Sequence, residues 1–576
     1  MKKLFLITGL FLICLATGCD GGSSASNSGS LTVSGVAAAG SPIVGQAWLK
    51  DFNGDFSSDS PTIIDGDGNF SFDVSGMQRP FFLQVKGNVA GNYYELYSVT
   101  YNPGRTNINP LSHLALAASA EKRPAAIFDA PEQSGITERS LERAIEEIQR
   151  MLQPLLELNN VENSDPIQGT FVADHSGLDA VLDAIDINLE DDLDVTISNK
   201  LTGETLVQAA ADDLVSAEKM DYADANQANE SKTVLSELID LIEDYWFTQS
   251  RSAKANYIAD DYLFNGYDKT LVLANYPDWP DTTDLVTLRH FTITDKSNAD
   301  VYTLYYESVL TDGTINQNTT FVNKSNGQWY FCGNGFLYNA RLRARGVKRI
   351  HVNDNIEYCA GVDFYINDYA AQGIEMVTVD GPGLPETIKL VARQTGTKLD
   401  IITSQRTDGC IKTHLYNMSD DTISNELDET NLAYTLKAYA NYDSNTYAPI
   451  GTVLETRNII VSMRPYTRAE LTAHGADYFA LHNNLSTHDI SLCELGDTVE
   501  YQYTLPEGFV IYRGHIELYF SDDDDHVGSF ETALELDNYK ATLVTSAPSW
   551  TPTYAHVSLY LYDGFDRMFK TQWDFE

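Results

Sequence analysis

Long runs of this chain alternate apolar and polar residues one by one, and that period of two most restricts what it can fold into. DTVEYQYTLP, GHIELYFS and HVSLYLYDG put every second side chain on one face, as a half-buried antiparallel strand requires. RIHVNDN, VDFYINDY and IEMVTVDGPGLP lead in the same way to IKLVAR and LDIITS, with turn residues spaced as in a β-sandwich. The 33 tyrosines fit the same surfaces, because a pleated, half-buried strand favours aromatic rings. No strict internal repeat runs through the 576 residues, which argues against a solenoid or propeller. That length accommodates three or four domains.

The fold class expected is multidomain and mainly β with a helical segment. It comprises an N-terminal β-sandwich, a helical region, an α+β cone-like domain and C-terminal β-sandwich domains. The sandwich is placed at 31–110. LTVSGVAAAGSPIVGQAWLKDFNGD makes two strands split by a Gly/Pro turn, and IIDGDGNFSFDV is a hairpin turning at Asp67-Gly68. PFFLQVKG and YYELYSVTY follow as strands. Val33-Ser34-Gly35, Gly40-Ser41-Pro42-Ile43, the run Asp67 to Phe72 and the transition Asn107-Ile108-Asn109-Pro110-Leu111 carry a resemblance. They resemble the carboxypeptidase-regulatory-like (transthyretin-like) modules at the front of many bacterial surface lipoproteins. The resemblance covers about 80 residues and implies a folding aid, spacer or binding surface without peptidase chemistry.

Residues 111–231 read as mostly helical with a linker. Leu141, Ile145, Ile148, Leu152 and Leu155 recur at helical spacing, and Pro154 is predicted to kink or end that helix. SGLDAVLDAI is a second helix with Leu178, Val181, Leu182 and Ile185 on one side. Strand-like alternation returns in DINLEDDLDVTISNKLTGETL, and AADDLVSAEKMDYADANQANESK is polar and Ala-rich, as a linker would be. Residues 232–345 begin with the helix VLSELIDLIEDYWF and end in TTFVNKSNGQWYFCGNG, where Asn326-Gly327 turns before Trp329 and Phe331. A helix followed by a sheet ending in a Gly-x-Trp strand resembles NTF2-like cone folds, which host isomerases, dehydratases and inert binding domains. A β-sandwich-like domain at 346–494 and a C-terminal β domain at 495–576 complete the order.

The N-terminus speaks to export. In MKKLFLITGLFLICLATGCDGG, Lys2 and Lys3 precede an apolar core from Leu4 to Ala16, too short for the roughly 20 residues that span a bilayer. Leu15-Ala16-Thr17-Gly18-Cys19 resembles the lipobox of bacterial lipoproteins, with Ala16 where that family prefers Leu. The resemblance implies cleavage between Gly18 and Cys19, lipidation of Cys19 and attachment to the membrane through the lipid. DGGSSASNSGS, within residues 19–30, would then be a flexible tether. Asp20 resembles the signal that holds enterobacterial lipoproteins in the inner membrane facing the periplasm. The outer membrane or cell surface is the alternative within the bacterial envelope.

Charge bounds the partners. The chain carries 38 basic and 82 acidic residues, a net −44, and loses two more positive charges if Lys2 and Lys3 leave with the signal. Such a field disfavours nucleic acid and anionic lipid, leaving a protein or glycan ligand. Of six cysteines, Cys14 belongs to the signal and Cys19 to the lipid. Cys332, Cys359, Cys410 and Cys493 are an even set in an oxidising compartment and admit three disulfide connectivities. Chain order alone favours Cys332 with Cys359 and Cys410 with Cys493.

Catalytic motifs are not legible. The chain has no His-Glu-x-x-His, Gly-x-Ser-x-Gly, P-loop or Cys-x-x-Cys-His. The Ser-x-x-Lys matches at Ser119 to Lys122 and Ser216 to Lys219 lack their partner motifs. His474, His482 and His488 are spaced eight and six apart, off any one helix face, so a surface or capping role is preferred to metal binding. Calcium is the one candidate cofactor. Asp51, Asn53 and Asp55 alternate oxygen ligands around Gly54 with Asp59 nearby, although the closing bidentate Glu of an EF-hand is missing. Such loops are also good turns. Asp522 to Asp525, followed by His526, reads as a solvated loop. The expectation is a non-enzymatic, lipid-anchored envelope protein for binding, adhesion or scaffolding. The alternative is an enzyme or small-ligand binder using a cone pocket lined by aromatics such as Trp246, Tyr267 and Trp329.

Overall fold

A computed structural model of the chain describes residues 31–575 apart from 91, 249, 276–284, 299–300, 312–314, 394–395, 407–413, 474–497, 504–510, 523–525 and 535–539. Gly18, Cys19, the tether, Cys410, Cys493, His474, His482, His488 and Asp523 to Asp525 lie outside the described residues. The chain is mainly β, divided among several separate sheets, with helices concentrated between the first and later ones. Among the described residues, no helix is long and apolar enough to cross a membrane.

The N-terminal strands are β1 (Thr32–Val36), β2 (Val44–Lys50), β3 (Asn69–Asp73), β4 (Phe81–Val89) and β5 (Asn92–Thr100). β1 pairs antiparallel with β3, while β2, β4 and β5 form a second antiparallel sheet. Val33, Phe72, Leu49, Leu83 and Val85 close the core between them. β4 and the second half of β5 are buried on both faces: Phe82, Tyr97 and Val99 turn outward into a second core with Leu111 and Leu114. The Asn-Ile-Asn-Pro transition makes that junction. Asn109 Oδ1 accepts the amides of Leu111 and Ser112 at 3.0 and 2.9 Å, capping a helix whose first residue is Pro110. Asn109 Nδ2 donates 2.8 Å to Pro166 O, fixing the cap against a distant loop.

The helical layer holds α1 (Pro110–Ala120), α2 (Glu138–Leu158) and α3 (Gly177–Ala184). It also holds a small sheet of β6 (Ile185–Leu189), β7 (Asp194–Asn199) and β8 (Thr205–Ala210), ordered β8-β7-β6. Leu141, Ile148, Leu152 and Leu155 lie on the buried face of α2. Pro154 does not end that helix, which continues to Leu158. Its ring is buried in the layer, and that packing offsets the lost amide bond.

The expected linker is helical instead: α4 (Tyr222–Phe247) runs through it and through the expected boundary at 231. Its two halves serve two cores. Ala225 and Ala228 pack into the helical layer, where small side chains allow close approach. Leu235, Leu238, Ile242, Tyr245 and Trp246 cover the next sheet. That sheet is an antiparallel meander of β9 (Leu285–Asn298), β10 (Val301–Leu310), β11 (Ile315–Ser325) and β12 (Gln328–Phe331). Asn326 and Gly327 both have positive φ, as a two-residue hairpin turn into β12 needs.

The last unit begins with β13 (Asn339–Ile350), β14 (Ile356–Asn367), β15 (Met376–Asp380), β16 (Ile388–Ala392), β17 (Leu399–Ile401) and β18 (Leu415–Asn417). It continues with β19 (Thr430–Tyr439), β20 (Glu455–Met463), β21 (Ile511–Ser521), β22 (Val527–Ala533), β23 (Tyr554–Asp563) and β24 (Met568–Phe575). A seven-stranded sheet, β18-β14-β13-β24-β23-β21-β22, faces a five-stranded sheet, β17-β16-β15-β19-β20. Phe364, Leu390, Tyr434, Leu559 and Phe569 belong to their shared core. The segments 346–494 and 495–576 are therefore one sandwich rather than two domains, and the expected boundary at 345 falls inside β13. The cause is the parallel pairing of β13 with β24, from Arg345 opposite Met568 to Ile350 opposite Trp573, which seats the chain's end in the middle of the sheet.

Candidate functional site

One face of the seven-stranded sheet is core and the other is a groove of about 930 Å3. The split follows from strand alternation. In β13, Ala340, Leu342 and Ala344 enter the core, while Arg341, Arg343 and Arg345 line the groove. Across the ladder, Tyr365 stands opposite Arg341 and Asp363 opposite Arg343. β23 contributes Tyr560 and Tyr562, β21 contributes His515, Glu517 and Tyr519, and Glu531 lies on the edge strand β22.

The groove has a cationic end. Arg341 and Arg343 share Asp566, at 3.4 and 2.9 Å, and Arg345 reaches Asp363 at 3.1 Å. Arg343 and Arg345 are only 7% and 3% exposed, and the Nε of each has no acceptor. Burial would raise the Asp363 carboxyl, but Arg345, His414 and Arg343 together hold it below the ordinary carboxylate range. Arg343 also lies 4.9 Å over the Tyr562 ring, and Lys398 5.1 Å over Tyr365. Toward the far edge the character changes. His515 stacks on Tyr560 with centroids 4.4 Å apart, Tyr519 stacks on His556 at 4.9 Å, and the Tyr560 hydroxyl donates 2.8 Å to Glu517. Burial and Glu517 raise the Tyr560 phenol, so it stays neutral. Chemically, this face offers guanidinium donors at one end, carboxylate acceptors at the other, and aromatic rings between.

A second cavity, of about 390 Å3, lies between the end of α4 and the meander. Tyr245, Tyr262, Phe264, Tyr306 and Phe331 line it, with Asn318 and Thr319 supplying polar atoms. Of the three aromatics singled out from sequence, Tyr267 lines this cavity. Trp246 and Trp329 are core: their indole N–H groups donate to the Tyr306 hydroxyl at 3.0 Å and to Glu237 at 2.7 Å. Burial raises the Tyr245 phenol and pushes those of Tyr262 and Tyr306 up to about 12, so these hydroxyls are neutral hydrogen-bonding groups.

The acidic N-terminal loop is built as a turn. Asp51 Oδ1 accepts the amides of Asn53 and Asp55 at 2.8 and 3.1 Å, and Oδ2 accepts that of Gln78 at 3.0 Å. Asp59 Oδ2 is taken by the Asp73 amide at 2.8 Å, and Asn53 donates to Gln78. The side chains of Asp51, Asn53 and Asp59 thus make separate structural bonds, and Asp55 joins the turn through its backbone. Asp522 similarly accepts the backbone N–H of His526 at 3.0 Å and lies 2.8 Å from its ring Nδ1. Among the described residues, the potential metal-ligating groups that gather within 4.8 Å are His175, Asp179 and Asp183 on and beside α3. His175 Nδ1 sits 2.8 Å from Asp183 and 4.0 Å from Asp179, and the buried Lys200 faces the same carboxylates, so the cluster already has positive partners of its own.

Cysteine pairing departs from chain order. Cys332 is a free thiol and Cys359 is disulfide-bonded, so the expected Cys332–Cys359 bridge is not made, and the partner of Cys359 lies outside the described residues. Cys332 directly follows the meander, whereas Cys359 is central to β14 in the next unit. Burial pushes the Cys332 thiol up to about 11. Folded protein at mildly alkaline pH should therefore alkylate at Cys332 about a hundredfold more slowly than denatured protein. Peptide mass spectrometry after iodoacetamide treatment measures this, and equal rates would mean that the site opens readily.

No family model matches the chain, and no curated protein matches it. It is similar to a solved Ca2+-stabilized adhesin that helps an Antarctic bacterium reach out and bind ice, at 10% identity and a TM-score of 0.13, over 94% of this chain and 97% of that one. It is also similar to a 1.5-MDa bacterial ice-binding adhesin, at 11% identity and a TM-score of 0.13, over 48% and 73% of the two chains. A tetra-tandem repeat from the extending region of a large adhesion protein gives 8% identity and the same score, over 94% and 98%. Overlays at that TM-score carry no argument about this chain.

Proposed function

We propose that this protein is a non-enzymatic binding protein of the bacterial cell envelope, lipid-anchored through Cys19, that engages an extracellular protein or glycan with the outer face of its C-terminal sandwich. The groove on the seven-stranded sheet carries this reading. Aromatic rings and buried arginines are what binding surfaces concentrate, and here they line one concave face of a rigid sheet. The lipobox-like segment and the tether support display on a membrane, and the negative charge keeps nucleic acid from being the partner.

The test uses cells carrying the full chain with Arg341→Glu and Tyr365→Ala together, both at accessible points of the groove. Attachment to a polysaccharide- or matrix-protein-coated surface should fall about tenfold, as loss of a central anchor does, with the protein present in equal amount. Cys19→Ser should move the protein from the membrane to the soluble envelope fraction. Attachment equal to that of the parent on every coated surface would overturn the binding role of this face. Retention of Cys19→Ser on the membrane would overturn the anchor.

A further inference from the structure

We infer that the groove takes an oligosaccharide carrying sparse acidic groups, a uronate- or sulfate-bearing glycan, with its acid at the β13–β14 end and its hydroxyls toward β21–β22. This rests on the reading that the groove is the ligand-contact face. The charges along the groove carry it. Among the described residues, the three guanidiniums in a row on β13 have two carboxylate partners, Asp566 and Asp363, so positive charge is in excess at this end of a chain whose net charge is −44. Arginine's planar fork suits a carboxylate or sulfate in two-point contact.

The other end asks for the opposite chemistry. Glu517 and Glu531 face each other across the β21–β22 ladder and line the same groove. Paired carboxylates are hydrogen-bond acceptors and a poor setting for a further anion. A sugar offers a hydroxyl donor on most of its carbons, so it satisfies them. An acidic peptide or a nucleic acid, with an anion at every repeat, brings like charge against them. Between the two ends, half-buried Tyr560 and Tyr519 add aromatic surface to the groove, against which the apolar face of a pyranose can pack. From β14 to β22 the sheet is roughly 24 Å wide at about 4.8 Å per strand, so the site fits several sugar units rather than one.

The experiment titrates purified full-length mature protein with half-esterified polygalacturonate, fully esterified polygalacturonate, sparsely sulfated dextran, neutral dextran and polyglutamate. Half-esterified polygalacturonate or sparsely sulfated dextran should bind, and the two arms distinguish a carboxylate from a sulfate as the acid. The fully esterified form and neutral dextran should bind at least about tenfold more weakly, and affinity should fall with added salt. Arg341→Gln should weaken binding about tenfold. Glu531→Gln, on the edge strand, should weaken binding of half-esterified polygalacturonate but not create binding of neutral dextran. Circular dichroism confirms that each variant is folded. Polyglutamate binding as tight as the acidic glycans, or equal binding of neutral and acidic glycans, would overturn the inference. Loss of cell attachment in the Arg341→Glu, Tyr365→Ala cells without acidic-glycan binding by the pure protein would overturn it while leaving the binding role of the face intact.

Discussion

Asp363→Ala should destabilise the C-terminal sandwich by about 3–5 kcal/mol, because it removes one partner of a buried ion pair and strands the other. Asp363 is buried on β14, with Arg345 at 3.1 Å and His414 at 3.4 Å. Arg345 is itself buried and already has an unpartnered Nε, so losing Asp363 leaves a guanidinium out of water with no counter-charge. Asp363→Asn keeps shape and an acceptor and should cost less. Acid behaviour follows the same pair. The Asp363 carboxyl is held below its ordinary value in the folded state, so its contribution is present above the unfolded pKa and is lost as pH falls through the depressed folded value. Urea unfolding followed by tryptophan fluorescence and circular dichroism at neutral and acidic pH measures both effects. A change below about 0.5 kcal/mol for the alanine variant would mean that water in the groove already solvates Arg345. Asp363→Asn has a second consequence: it frees positive charge in the floor, so acidic-glycan affinity should rise.

The groove was in the sequence, and a boundary hid it. Asn339-Ala-Arg-Leu-Arg-Ala-Arg345 alternates small or apolar residues with arginines, the same period-two signal that identified the other strands. A domain boundary at 345 cuts this strand, and the overall acidity of the chain points to carboxylates instead. The opposite wall begins at His515, 170 positions beyond Arg345, joined by the β13–β24 pairing, and local pattern gives no hint of a long-range partner. Alternation on β21 was legible in detail, with Ile516, Leu518 and Phe520 in the core and His515, Glu517 and Tyr519 outside. For Trp246 and Trp329 core is the preferred reading, with pocket lining as the alternative, and both are core; Tyr267 lines the cavity. The alternative stays open in sequence because an indole N–H satisfied by Tyr306 or Glu237 looks the same there as one aimed at a ligand. The acidic loop at Asp51 illustrates the same ambiguity: carboxylates that cap backbone amides and carboxylates that hold calcium share one residue pattern. Pairing cysteines by order failed because Cys332 and Cys359 belong to different structural units.

Asp179→Asn should stabilise α3 above neutral pH and remove much of its pH dependence. Asp179 is completely buried, accepts the His175 amide at 2.8 Å, and leaves Oδ1 without a partner. Burial first, and then the charge of Asp183, push its carboxyl up to about 7, against the opposing pull of His175 and Lys200. The folded state thus holds a proton that the unfolded chain releases near pH 4, and stability must fall as pH rises from there through about 7. His175 acts in the same sense. Its pKa is raised despite burial, through Asp183 and Asp179, so its contribution is full below the unfolded value and is lost as pH rises through the folded one. Because the groups titrate together, a single broad loss is expected rather than two steps. At pH 8 the ionised Asp179 costs a few kcal/mol, since each tenfold change in proton affinity is worth about 1.4 kcal/mol. Asparagine keeps the acceptor for the His175 amide, carries no charge to bury, and turns an N–H toward Asp183. Hydrogen exchange of the α3 amides, corrected for intrinsic rate, should show protection falling between pH 5 and 8 in the parent and nearly flat in the variant, with the curves crossing near neutrality. An unchanged slope in the variant would place the titration elsewhere in the cluster and leave Asp179 ionised throughout.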